Sequence, residues 1–161
     1  MFISCPAAPG PGRPLAQVDT TSRSSSSSVA ASSPEPPAKD RLMPTRDQIC
    51  AALASYVEHH TNHDVDRLVA MFADDAVLHE PLGVRTYRGA AEIRAFATQN
   101  ALVDYSVSLL SPITVSGRYA GVQLRVHRDG IPDFATTDLF EFDDEGRIAS
   151  LSVILDPESL A

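Results

Sequence analysis

The sequence predicts an α+β fold, three helices followed by a meander of strands. Three observations carry this. Apolar residues recur at the helical period from Ile49 to Phe72; beyond Val103 they alternate every second residue; and the two regimes follow one another instead of interleaving. Helices and strands segregated in this order pack as a layer of helices against a strongly curved, mostly antiparallel sheet. Curvature leaves an opening at one end, a usual place for a small-molecule pocket.

Each element has its own signal. Thr45 and Gln48 stand at capping-box spacing, so the first helix starts there. Its apolar stripe is Ile49, Leu53, Tyr56 and Val57, with His60 in the same sector, and Tyr56 falls near the middle of the stripe. A second helix is expected from about Asn62–Asp64 through Val65, Leu68, Met71 and Phe72, ending at Asp74 and Asp75. The period then changes. Ala76, Leu78 and Glu80 alternate with Val77 and His79, and Pro81 forces its predecessor into an extended conformation, so Glu80 ends a short strand on the side of Leu78. A third helix begins near Gly89 and presents Ile93 and Phe96. Strands are expected over Val103–Thr114, Arg118–Arg128, Phe134–Phe142 and Arg147–Leu155, with turns at Asp129-Gly130 and at Asp143–Gly146.

The folded unit is expected to occupy residues 45–161. Residues 1–44 hold 8 of the 12 prolines, the serine run Ser24–Ser28 and almost no periodic apolar residues, a composition too poor in apolar surface to offset chain entropy. A transit peptide and a start placed upstream of the true one both fit this segment. The second is favoured, because Met43 is followed at once by Pro44 and the capping box. Cys5 lies in the segment and Cys50 in the first helix, from which no structural disulfide and a reducing cytoplasm are expected. Residues 45–161 carry 9 basic and 18 acidic side chains, which argues against nucleic acid or anionic lipid as partner. No stretch reaches the apolar length of a membrane span.

Three polar residues fall where periodicity predicts burial: Tyr56, Glu80 and Asp138. Strand alternation places Phe134, Thr136, Asp138, Phe140 and Phe142 on one face, a carboxyl among three phenylalanines. Poor solvation there should tighten its hold on a proton and make it a hydrogen-bond donor. Each residue also has a plainer role: a core tyrosine with its hydroxyl at the edge, a solvated strand end, and an aspartate paired with Arg125, Arg128 or a backbone donor. His59, His60 and His63 lack a recognised zinc spacing and are expected at the surface or as a C-terminal cap.

The run from Thr45 to Leu160 resembles the bacterial Δ5-3-ketosteroid isomerases, within the nuclear transport factor 2-like and SnoaL-like superfamily. The matching text includes "ASYVEHHTNHDVDRLVAMFADDAVLHEPLG", "YRGAAEIRAF" and "TTDLFEFDDEGRI". The resemblance implies a cone-shaped fold, a homodimer, no cofactor or metal, and a small hydrophobic ketone as substrate. It also implies an oxyanion hole formed by Tyr56 and a protonated Asp138, with Glu80 as proton-transfer base. Phe72, Phe96 and Phe140 are the expected apolar contacts to substrate. Glu80 is one methylene longer than the aspartate of the best-known members, and Phe72 and Ala97 replace tyrosines that support the oxyanion donor in some. Two other functions fit the same fold: a non-catalytic module for a hydrophobic ligand or protein partner, and a SnoaL-like cyclase, dehydratase or hydrolase. An epoxide hydrolase of this fold would want an Asp-Arg-Asp relay, and around Arg125 and His127 the required acid is missing.

Overall fold

The computed structural model describes residues 43–156 and 158, so the expectation of disorder over 1–44 falls almost wholly outside the described residues. Thr45 caps helix α1, Arg46–Thr61, through a complete capping box in which Gln48 N donates to Thr45 Oγ1 and Thr45 N donates to Gln48 Oε1. Of the predicted stripe the helix buries Ile49, Leu53 and Tyr56, while Val57 and His60 are half-buried. Cys50, on this helix, is the only cysteine among the described residues, and the expectation of no disulfide turns on Cys5, which lies outside them.

The second helix is shorter than its periodicity suggests. Asp64 caps α2, Val65–Ala70, by accepting from Arg67 N, and at Met71 the chain turns into strand β1, Phe72–His79. Phe72 pairs with Ile148 in parallel, and Ile148 N donates to Met71 O at 2.8 Å. Sheet bonding on a buried Phe72 thus replaces another helical turn. A register shift between Phe72 and Val77 takes up the exposed Asp74 and Asp75, which ended the expected helix. Strand β2, Thr86–Arg88, carries only three residues and no alternation long enough to be read from sequence. Helix α3, Gly89–Asn100, buries Ile93 and Ala97 and leaves Phe96 half-buried. The three helices therefore do not precede the sheet as a block, because β1 and β2 lie between α2 and α3.

The expected strand Val103–Thr114 is two strands, β3 Tyr105–Leu109 and β4 Thr114–Ser116. Pro112 has no N–H for the ladder, and Leu110 N and Ser111 N both donate to Gln123 O, which interrupts the pairing. Both pieces pair with β5, Tyr119–Arg128. Strands β6, Phe134–Phe142, and β7, Ile148–Asp156, match their predicted ranges to within a residue. The β6–β7 turn is closed by Asp143 Oδ1, which accepts from Glu145 N and Arg147 N, and by Gly146 at φ 78.

The strands form one curved sheet in the order β2-β1-β7-β6-β5-β3, with β4 also on β5. Among the described residues only β1 and β7 run parallel; every other pair is antiparallel. Helix α1 packs against β3 and α3 against β1, so helix residues and the inner sheet face share one core, including Leu53, Ile93, Phe142 and Leu151. Among the described residues no helix is long and apolar enough to cross a membrane.

Candidate active site

Three elements bring polar side chains to one place. Tyr56 sits in the third turn of α1, Glu80 directly follows β1, and Asp138 is the central residue of β6. All three line a cavity of about 310 Å³ between the helices and the inner face of the sheet. The Glu80–Pro81 peptide is cis, and Glu80 N donates to Arg85 O, so the turn Pro81–Arg85 closes back on the strand end.

Tyr56 is 4% and Asp138 3% exposed. The Tyr56 ring stands edge-on to Phe140, with centroids 5.2 Å apart, and edge-on to His60 at 4.6 Å. Burial first, then the nearby Asp138, Glu80 and Tyr105, push the Tyr56 phenol well above its ordinary value, so it stays a neutral donor. Asp138 is pushed up to about 6 by burial, against a hydrogen bond from the Thr136 side chain that pulls it down. Its Oδ1 is fully buried with no hydrogen-bond partner among the described residues. Such an orphaned oxygen costs free energy on the order of 1–3 kcal/mol unless something else meets it.

Glu80 is half-buried, its carboxyl among the cavity residues. Burial first and the charge of Asp138 second push it up to about 8. The two carboxyls feel one another and titrate as a pair, with apparent values of about 6 and about 8. Between those values the pair holds one proton. In the free cavity Glu80 is its favoured site, whereas the sequence led us to expect it on Asp138. An electron-rich ligand oxygen beside Tyr56 and Asp138 would draw the proton to Asp138 and leave Glu80 ionised.

The family model of the SnoaL-like domain matches residues 53–151. The chain belongs to this family. A steroid Δ-isomerase of Nocardioides simplex is 30% identical over 113 residues, covering 68% of this chain and 91% of that protein. Among solved structures, SalBIII, described as an epoxide hydrolase/cyclase-like enzyme in pyran ring formation of the polyether salinomycin, is similar in fold. Its TM-score is 0.63 at 22% identity, covering 68% of this chain and 91% of that one.

In this SnoaL-like domain Tyr56, Glu80 and Asp138 share the cavity, but the three phenylalanines expected against substrate separate. Phe96 lines the cavity and stacks at a tilt on Tyr87, centroids 4.6 Å apart. Phe140 lies outside the lining and supports the Tyr56 ring, and Phe72 is core at the start of β1. Asp138 has no ion pair with Arg125, which instead meets Asp133 at 3.6 Å on the outer side of β5.

Sequence reasoning missed His60 and Tyr105. Both line the cavity, with His60 Nδ1 and the Tyr105 hydroxyl 2.8 Å apart. Burial, then His63, lowers His60 to about 4, so the ring is neutral. Either Tyr105 O–H donates to Nδ1 or, in the other tautomer, Nδ1–H donates to the phenol oxygen. Burial and Glu80 raise Tyr105 to about 12. His63, at φ 55, places its two ring nitrogens 3.2 Å from Ala101 O and 3.0 Å from Tyr105 O, tying the α1–α2 turn to the start of β3. The signal for His60 was its place in the apolar sector of α1, one turn beyond Tyr56.

Proposed function

We propose that this domain is a cofactor-independent isomerase that moves a double bond from the β,γ to the α,β position of a hydrophobic ketone. The observation that carries the proposal is the orphaned Asp138 Oδ1, buried on the wall of a cavity that also holds a neutral phenol and a second carboxyl. A carbonyl oxygen placed there accepts from Tyr56 O–H and from protonated Asp138. Ionised Glu80 then takes the proton from the carbon between the carbonyl and the double bond. The C–H electron pair becomes part of a dienolate whose charge collects on the carbonyl oxygen, where the two donors stabilise it. Glu80 returns the proton to the γ carbon, the double bond moves into conjugation, and Glu80 is again a carboxylate. Hydrogen bonds that strengthen as charge develops favour the dienolate over the ketone, which is the condition for rate acceleration.

The similarity to a steroid Δ-isomerase supports this assignment. Arg125 points away from the cavity, which argues against a relay that would open an epoxide with that arginine. The test is conversion of a steroid or smaller β,γ-unsaturated ketone to its conjugated isomer, followed by the rise of enone absorbance. Turnover is expected. No conversion across such a panel would overturn the proposal in favour of a binding module.

A further inference from the structure

Positive charge is scarce in this domain, and its placement is uneven. Arg67, Arg94, Arg118, Arg125 and Arg147 each meet a carboxylate at the surface. Arg85, Arg88 and Arg128 form no ion pair among the described residues, although residues 45–161 carry 18 acidic side chains to 9 basic ones. Of these three, Arg85 and Arg128 line the cavity. Their side chains come from different elements. Arg85 belongs to the turn after Glu80, its backbone held by Arg85 N donating to Pro81 O and by its own carbonyl accepting from Glu80 N. Arg128 ends β5 directly opposite Tyr105. Asn100, at the end of α3, adds an amide to the same lining.

Both arginines are exposed, while Tyr56 and Asp138 are buried. The cavity therefore runs from a deep end of phenol and carboxyl groups, past an apolar wall that includes Val126 and Phe134, to a cationic mouth. A guanidinium binds a carboxylate or phosphate through two parallel N–H donors, and unpaired guanidiniums at an opening within an acidic surface attract anions where the rest of the surface repels them.

We propose that Arg85 and Arg128 form an anion-binding subsite at the cavity mouth. The ligand is then amphipathic, with an apolar body inside the cavity and a carboxylate or phosphate at its outer end. That its inner end is a ketone rests on the isomerase assignment; the outer subsite does not.

The experiment is calorimetric titration of the protein with three ligands on one steroid phenol scaffold: uncharged, carboxylate-tailed and phosphate-tailed. At low ionic strength a tailed ligand should bind about tenfold more tightly than the uncharged one, the sum of two exposed charge pairs. The preference should shrink toward zero near 1 M salt. It should vanish in Arg85→Ala/Arg128→Ala, whose affinity for the uncharged phenol stays at the wild-type value. The tail that gains more identifies the natural anion as carboxylate or phosphate. Equal affinity for all three ligands, a preference that survives the double substitution, or an equal loss for the uncharged phenol would each overturn the subsite. Absence of isomerase turnover would leave these affinities untouched, and loss of the preference would leave turnover of uncharged ketones in place, so the two proposals fail separately.

Discussion

At the scale of single residues, the proposed chemistry turns on Asp138 Oδ1 and on where one proton resides. An unpartnered buried carboxyl oxygen is a poor structural element and a good donor site once protonated, provided a ligand oxygen meets it. We expect Asp138→Asn and Tyr56→Phe each to lower turnover by about 10²- to 10³-fold, the usual effect of deleting one oxyanion donor. The same variants should weaken binding of a phenol that mimics the dienolate, measured by titration; unchanged affinity in both would remove them from the site. The positions of these two residues were legible in sequence, because helical and strand periods are local and each aims its side chain inward. His60 with Tyr105 was not legible, since that pair joins residues 45 positions apart through the packing of α1 on β3. Nor was the order of proton affinities, which depends on how deeply each carboxyl is buried and on its distance from the other.

At the scale of elements, the site depends on the β1 end and the start of α3. Gly89 begins α3 at φ 75, and a Cβ built there would lie 3.2 Å from Asp74 O, in the irregular stretch of β1. Gly89→Ala adds backbone strain and crowds a carbonyl, and we expect a loss of roughly 1–3 kcal/mol, read from urea unfolding. Unchanged stability would show that the turn relaxes without cost. The strands β6 and β7 could be read from sequence because alternation, Gly146 and the Asp143 turn agree with one another. The α2–β1 boundary could not, since Met71 and Phe72 fit a helix locally and are claimed by pairing with a strand more than seventy residues away. Splitting of β3 from β4 had a local clue in Pro112, whereas β2 is fixed only by its partner β1.

At the scale of the whole molecule, the site is held against stability. Glu80 and Asp138 bind protons more tightly folded than at their ordinary values of 4.5 and 3.8. The folded protein then carries more protons than the unfolded chain from about pH 4 upward, so stability falls as pH rises, through about 6 for Asp138 and about 8 for Glu80. Glu80→Gln removes one of these charges. We expect its Tm to exceed the wild-type value by roughly 4 °C or more at pH 8, with the gap closing near pH 4; a gap that does not depend on pH would contradict the raised Glu80. The curved sheet and helix layer make this arrangement sustainable by placing both carboxyls at a cavity instead of in the packed core. The proposed isomerisation requires the singly protonated pair, with Asp138 neutral and Glu80 ionised. The most direct measurement is therefore enone formation by wild type and Glu80→Gln across pH. Wild-type kcat/KM should follow a bell with limbs near the pair's values of about 6 and about 8, and the variant should lose most of the activity at every pH. No enone formation by the wild type, or equal rates in the variant, would contradict the assignment.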